Sequence, residues 1–250
     1  MIRIDKIATW PVKGLGPLFL ERVSLEKGEA LPSDRAYAIA RGAAMERGGD
    51  VADLGWRDCI QLKNCPKLAA LETEFDLDEQ VLTLKRQGRQ VARGNLSQPI
   101  GRTLIEQFLT AYLGDDLQSP PRIVTAPGTT FSDAKQPLLS IINLETLRDI
   151  ERVARAPVDH RRMRGNLYID GPDAWAEFDW IGQEFSIGAA RLRIVARIDR
   201  CAATNVDPDT GERDMQIPKV LQSGFGHMDC GVFAEVIEGG EIAEGDEFAN

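Results

Sequence analysis

Apolar and polar residues alternate with a period of two along most of this chain, and that pattern predicts short strands. In IRIDKIATW, Ile2, Ile4 and Ile7 carry the alternation with one slip of phase. FLERVSL follows the turn KGLGP, and RAYAIAR follows LPSD, which adds two more strands. KLAALETEF and VLTLKRQ flank the acidic turn DLDEQ and read as a hairpin, so the first third resembles a meander or a small barrel. The period then changes. In RTLIEQFLTAYLG, residues Leu104, Ile105, Phe108, Leu109 and Tyr112 recur at helical spacing, and Gly114 marks the stop. NLETLRDIERVA predicts a second helix, with Asn143 as its N-cap and Leu144, Leu147, Ile150 and Ala154 on its buried face. After Arg164 the strand pattern returns in NLYID, EFSI and ARLRIVARI, the last two joined through GAA, and VFAEVIEGGEIAEGDEF ends the chain. Prolines interrupt both periods in LQSPPRIVTAPG, residues 117–128, which reads as a linker. The expected fold is mainly β with a few helices, in two parts that pack together.

Composition narrows the function. The 250 residues carry a net charge of −9, which argues against wholesale nucleic-acid binding. The charged opening MIRIDKIATW does not read as a signal peptide, and no stretch approaches the roughly 20 apolar residues of a membrane span. A cytoplasmic protein without membrane contact is the expectation. The four cysteines include no CxxC and have two histidines beside them, a poor basis for a four-ligand zinc site.

Phosphate-loop and GxSxG motifs are absent. His160 lies in the charged run DHRRMR and reads as solvated. Cys201 is the residue with the most chemistry: a thiolate suits soft or redox-active metals, and the adjacent Arg200 favours the thiolate while Asp199 opposes it. A lone cysteine closing a strand is nevertheless more often a buried structural residue than a ligand. Lys13, Arg35, Arg161, Arg162, Arg164 and Arg200 sit at junctions of loops and strands. Each alone reads as an ordinary solvated charge; together they could converge on an anion.

Four stretches, in order, carry a resemblance. ATWPVKG…LERVSLEKGEALPSDRAYAIA resembles the N-terminal β-barrel module that precedes MOSC domains. FSDAKQPLLSIINLETL, RRMRGNLYIDGPDAWAEFDWIG and RCAATNVDPDTGERD…CGVFAEVIEGGEIAEGDEF resemble the MOSC domain itself, as found in proteins related to the mitochondrial amidoxime-reducing component. The resemblance implies an N-terminal module over 1–117 packed on a MOSC β-barrel domain over 118–250. It implies a molybdenum cofactor, with Cys201 as metal ligand, the pterin phosphate held by Lys13, Arg35, Ser132, Arg164 and Arg200, and Asn166 beside the site. The activity implied is reduction of small N-hydroxylated compounds, N–OH to N–H. Electrons would come from a separate ferredoxin-like, flavoprotein or cytochrome donor, since this chain shows no redox signature of its own, no appended iron–sulfur module and no membrane anchor. Two other readings stay open: a carrier of cofactor or of sulfur, held as a Cys201 persulfide, and an interaction module without cofactor. Two departures from the family bear on this. Its Lys-Ser pair is Lys13-Gly14 here, and Asp199 replaces a small or neutral residue. Asp207 and Asp209, in the turn-forming run DPDTG, read as structural rather than as proton relays.

Overall fold

The fold is described by a computed structural model that covers every residue except 47–50, 52–53, 56, 126–129, 135 and 250. Its strands are β1 (Ile2–Thr9), β2 (Val12–Lys13), β3 (Leu18–Leu20), β4 (Arg22–Leu25), β5 (Tyr37–Arg41), β6 (Glu72–Asp76), β7 (Val81–Arg86) and β8 (Arg89–Asn95) in the first part of the chain. They continue with β9 (Pro121–Thr125), β10 (Leu139–Asn143), β11 (Leu167–Asp170), β12 (Glu184–Ile187), β13 (Ala190–Asp199), β14 (Asp229–Glu238), β15 (Gly240–Ala243) and β16 (Glu247–Ala249). The helices are α1 (Gly42–Glu46), α2 (Pro99–Leu113), α3 (Leu144–Ala154) and α4 (Ile217–Phe225).

Seven strands close into a barrel in the order β11-β10-β14-β13-β12-β16-β1, with β1 returning to β11 and β3 added outside on β1. The first strand of the chain is therefore a stave of a barrel whose other members come from residues 139–249. Closure removes the free edges that an open sheet of this size would expose. The phase slip in IRIDKIATW has a structural counterpart: the register of β1 against β11 shifts between Ile4 and Lys6, so Asp5 is the extra residue of a bulge. Ile4 and Ile7 can then both face inward, where they join Leu139, Ile141, Leu167, Leu192, Val232 and Val236 in the barrel core. Truncating one such side chain, Ile7 to Ala for instance, costs about 2–5 kcal/mol.

The remaining strands form a sheet β2-β5-β9, a meander β6-β7-β8 and the pair β4-β15. Helix α2 packs its buried residues Ile105, Leu109 and Leu113 into the second core with Leu68, Phe75, Leu82 and Leu84. Helix α3 begins where the sequence predicts: the Asn143 side chain accepts from the Glu145 N–H at 3.0 Å, and Leu147 and Ile150 are buried.

Two readings need correction, and one helix adds to them. Residues 121–125 of the expected linker form β9, which pairs antiparallel with β5 from Tyr37↔Thr125 to Arg41↔Pro121. There a strand tolerates prolines because Pro121 stands at its first position. KLAA lies in a 3-10 turn (Pro66–Ala70), so only ETEFD pairs with VLTLKR in the hairpin. The segment between the DPDTG turn and the last strands contains α4, opened by a proline near its start and ended by Gly226 in the left-handed conformation.

Candidate functional site

Strand β1 ends at Thr9 and hands the chain to Trp10 and then to β2, whose Lys13 reaches the mouth of the barrel. Strand β13 ends at Asp199 and delivers Arg200 and Cys201 to the same place. Between these two exits opens a cleft of about 420 Å3, lined by Lys13, Gly14, Arg35, Ser132, Asp133, Ser140, Arg162, Arg164, Asn166, Arg200, Cys201 and Thr204 among others. All seven residues singled out in the sequence line it: Lys13, Arg35, Ser132, Arg164, Asn166, Arg200 and Cys201. Its size falls within the 300–1,000 Å3 typical of small-ligand sites.

Cys201 is exposed, unlike the buried Cys59, Cys65 and Cys230. Its backbone is extended (φ −102°, ψ 175°), and its carbonyl is tied down by the Thr204 N–H at 3.1 Å and the Thr204 hydroxyl at 2.8 Å. That leaves the sulfur in the cleft wall instead of the core. The buried-filler reading thus fits the other three cysteines and not this one.

The cations are held mainly by backbone carbonyls. Arg200 is buried; its Nε donates to the Cys230 carbonyl at 2.7 Å, Nη2 donates to the same oxygen, and Nη1 donates to the Met163 carbonyl at 2.8 Å. Arg164 sits in the left-handed region (φ 51°), stacks 4.1 Å from the Trp10 ring centroid and donates from Nη1 to the Leu15 carbonyl at 2.9 Å. Arg35, also left-handed, donates to the Arg164 carbonyl at 2.9 Å and to the buried Asp34 carboxylate, which in turn accepts from the Trp10 N–H at 3.0 Å. Lys13 donates to the Phe131 carbonyl at 2.8 Å and to Asp133 at 2.6 Å. Carbonyl dipoles orient a guanidinium without cancelling its charge. Arg164 and Arg200 therefore keep positive charge in the cleft wall, and burial weakens each one's hold on its proton, for Arg164 with further repulsion from Arg35. An arginine does not lose its proton in a protein, so the unfavourable burial of these charges favours an anion that would relieve it.

Asn166 and Ser132 are of another kind. The Asn166 side chain joins two strands: its Oδ1 accepts from the Ser140 N–H at 3.0 Å and hydroxyl at 2.8 Å, and its Nδ2 donates to the Ala8 carbonyl at 3.2 Å. The Ser132 hydroxyl accepts from the Ala134 N–H at 3.3 Å. Arg161 and Arg162, read with Arg164 as one basic cluster, are both paired with carboxylates, although Arg162 also lines the cleft. Arg161 pairs with Asp159 and Asp209, and the buried Arg162 pairs with Asp214 and Asp207. These ion pairs hold the 207–214 loop. Asp207 itself caps that turn, accepting from the N–H groups of Asp209 and Thr210 and from the Thr210 hydroxyl. His160 is half-buried against Tyr168 and Phe19, so its solvated reading is corrected; burial pulls its pKa down. Asp133 and Trp10 escaped the sequence reading, since nothing local says that one will meet Lys13 or the other will lie under Arg164. Among the described residues no cluster of His, Cys, Asp and Glu is arranged to hold a metal ion. A metal here would depend on Cys201 and on ligands brought with it.

A model of the MOSC N-terminal beta barrel domain matches residues 1–116, and a model of the MOSC domain matches residues 128–249. This is a MOSC-domain protein. Among curated proteins, the MOSC-domain protein is similar to mitochondrial amidoxime-reducing component 1 of Homo sapiens, 35% identical over 78 residues, which covers 31% of this chain and 23% of the relative. It is also similar to molybdenum cofactor sulfurase of Homo sapiens, 20% identical over 205 residues, covering 64% of this chain and 23% of the relative. Each match thus spans less than a quarter of the relative's own length. A solved structure, the YuaD protein from Bacillus subtilis, aligns with 99% of the MOSC-domain protein and 94% of its own chain at 11% identity, with a TM-score of 0.46. Among the described residues no helix is long and apolar enough to cross a membrane.

The donor set suits a molybdenum–pterin group. An exposed thiol, which would suit a soft metal, shares one cleft with cations oriented by carbonyls, which would suit a phosphate.

Proposed function

We propose that this protein binds a molybdenum–pterin cofactor in the 420 Å3 cleft and reduces N-hydroxylated compounds, with electrons from a separate donor protein. The observation that carries the reading is the placement of the Cys201 sulfur, exposed in the same cleft as Lys13, Arg35, Arg164 and Arg200. When bound, the cofactor supplies two-electron oxygen-atom chemistry; the balance for each N–OH is two electrons and two protons in, N–H and water out. The chain's own work is binding and tuning. Cys201 presents a thiolate to the metal, and Lys13, Arg35, Arg164 and Arg200 hold the phosphate. Asn166 fixes the wall by joining β1, β10 and the approach to β11. Ser132 offers a hydroxyl at the rim.

The test is protein expressed in a molybdate-replete host, assayed for molybdenum and pterin and for reduction of a test amidoxime by a reduced viologen. Cys201→Ser is expected to abolish that reduction, and full activity in the variant refutes thiolate ligation. A second reading, sulfur carriage on a Cys201 persulfide, is favoured by the same exposed thiol. Cyanide-releasable sulfur on Cys201 in protein without reductase activity selects it.

A further inference from the structure

Arg197 lines the cleft together with Cys201 and has none of the roles assigned so far. It stands near the end of β13, a strand whose earlier arginines are paired: Arg191 with Glu184 and Glu238, Arg193 with Glu184 and Glu235. Among the described residues no carboxylate pairs with Arg197. Its guanidinium carbon lies instead 4.2 Å from the centroid of the Phe178 ring. That ring is 8% exposed and is braced by His227 and Trp175, whose ring centroids lie 5.4 and 5.6 Å away. A braced aromatic face gives an exposed guanidinium a firm seat.

Stacking fixes the plane of a guanidinium and uses only its face. The N–H groups at its edge, which match a carboxylate with two parallel hydrogen bonds, meet no acceptor among the described residues. The surroundings suit the body of a small substrate. Leu138 and Phe233 line the same cleft, and Phe233 lies across the ladder from Ala196, the residue before Arg197. Arg197 and Cys201 are four residues apart, at most about 14 Å between Cα atoms, so one small molecule can reach both side chains. Lys13, Arg35, Arg164 and Arg200 are assigned above to a phosphate. Arg197 is a further cation, on the strand that delivers the thiol, and is left for a different anion. Asp199 also lines the cleft, two residues on, and opposes an acid there without pairing with Arg197.

We propose that Arg197 sets substrate specificity by receiving a carboxylate of the substrate, so that this protein favours N-hydroxylated compounds that carry an acid group. The inference rests on the reductase reading above, and its test has two arms that separate the two. The kinetic arm compares the holoenzyme on para-carboxybenzamidoxime and on benzamidoxime, with reduced viologen as electron source. The parent is expected to favour the acid about tenfold in kcat/KM, through KM. Arg197→Gln is expected to lose that preference. Arg197→Lys regains part of it, because lysine keeps the charge without the fork, and Asp199→Asn enlarges it. A parent that does not discriminate, or a preference that survives Arg197→Gln, overturns the proposal. The binding arm needs no turnover: benzoate is titrated into isotope-labelled parent and followed at the Arg197 Nε–H resonance. A saturable shift is expected, with binding about tenfold weaker in Arg197→Gln. Benzoate that fails to bind, or that binds without moving that resonance, overturns the proposal as surely. Protein that reduces neither amidoxime but shows the benzoate shift refutes the reductase reading and leaves Arg197 as the acid-binding residue. Protein that reduces benzamidoxime but fails either arm keeps the reductase reading and loses the role of Arg197.

Discussion

Gly14 stands where the family's motif carries serine, and the substitution Gly14→Ser tests whether this chain can take back the missing hydroxyl. Gly14 has φ +95°, a conformation that side chains rarely adopt. A Cβ built there meets Gln61 Cα and the Ile60 carbonyl oxygen at 3.1 Å each, and Leu68 Cδ1 at 3.3 Å. Two of the three neighbours are backbone of a segment tied by hydrogen bonds from Ile60 to Ile39 and from Cys65 to Gln61, so they yield little. Backbone strain of this kind costs about 1–3 kcal/mol. Reduced freedom of the unfolded chain returns roughly 0.4–1 kcal/mol. The net expectation is a loss of about 1–2 kcal/mol, which in a chain of this length lowers Tm by about 2–8 °C. Calorimetry of the parent, Gly14→Ser and Gly14→Ala decides. The alanine variant is expected to lose as much as the serine one, since the conflict lies at Cβ and not at the hydroxyl. A serine variant as stable as the parent refutes the reasoning, and shows that the motif's hydroxyl can be regained without moving the 60–68 segment.

Arg162→Ala removes a side chain that is 3% exposed from between Asp207 and Asp214, which are 26% and 42% exposed. Breaking a buried pair costs about 3–5 kcal/mol, and solvent at the two carboxylates reduces this to about 2–3 kcal/mol. Urea unfolding measures it, and faster proteolysis within 207–214 is expected; unchanged cleavage there sinks the tether. Trp175→Phe tests a pH effect. The Trp175 indole N–H, 2.8 Å from Asp149, is the main cause holding that carboxyl below its ordinary value, with Arg152 adding to it against a contrary effect of burial. A lowered folded pKa gives stability that is present above the unfolded value near 3.8 and is lost as pH falls through the folded one. The stability difference between parent and Trp175→Phe is expected to be constant near neutrality and to shrink below about pH 4. A difference independent of pH down to acid unfolding rules this out.

The sequence announces elements whose signals are local. The Asn143 cap, the Gly114 stop and even the bulge at Asp5 are visible because each depends on residues within a turn of one another. What escaped depends on distance. Strand β9 is carried by its pairing to β5, some 80 residues away, and its prolines say nothing of that partner. Helix α4 is nine residues long, with a proline at its second position and a glycine cap after its last, so its apolar period hardly repeats before it stops. The cleft residues were named from motifs, but which of the clustered arginines would turn toward Cys201 was not legible. Arg161 and Arg162 find acids in the 207–214 loop, whereas Arg164 turns onto Trp10 because its own backbone is left-handed while its neighbours lie in a 3-10 turn.

Charge in the cleft follows from who orients it. The chain as a whole is acidic, at −9, and a cleft lined by salt bridges would be neutral in such a protein. Arg35 and Lys13 do meet carboxylates, Asp34 and Asp133, but Asp133 is largely exposed and water screens it. The guanidinium hydrogen bonds of Arg164 and Arg200 go to backbone carbonyls. The rigidity that an ion pair would give is obtained here without the neutralisation it would bring. An anionic ligand, as proposed above, would supply the missing counter-charge to groups already oriented by the fold. Asp199 is exposed, pairs with Asp229 at the end of β13 and itself lines the cleft, so it sets one negative charge among the arginines there.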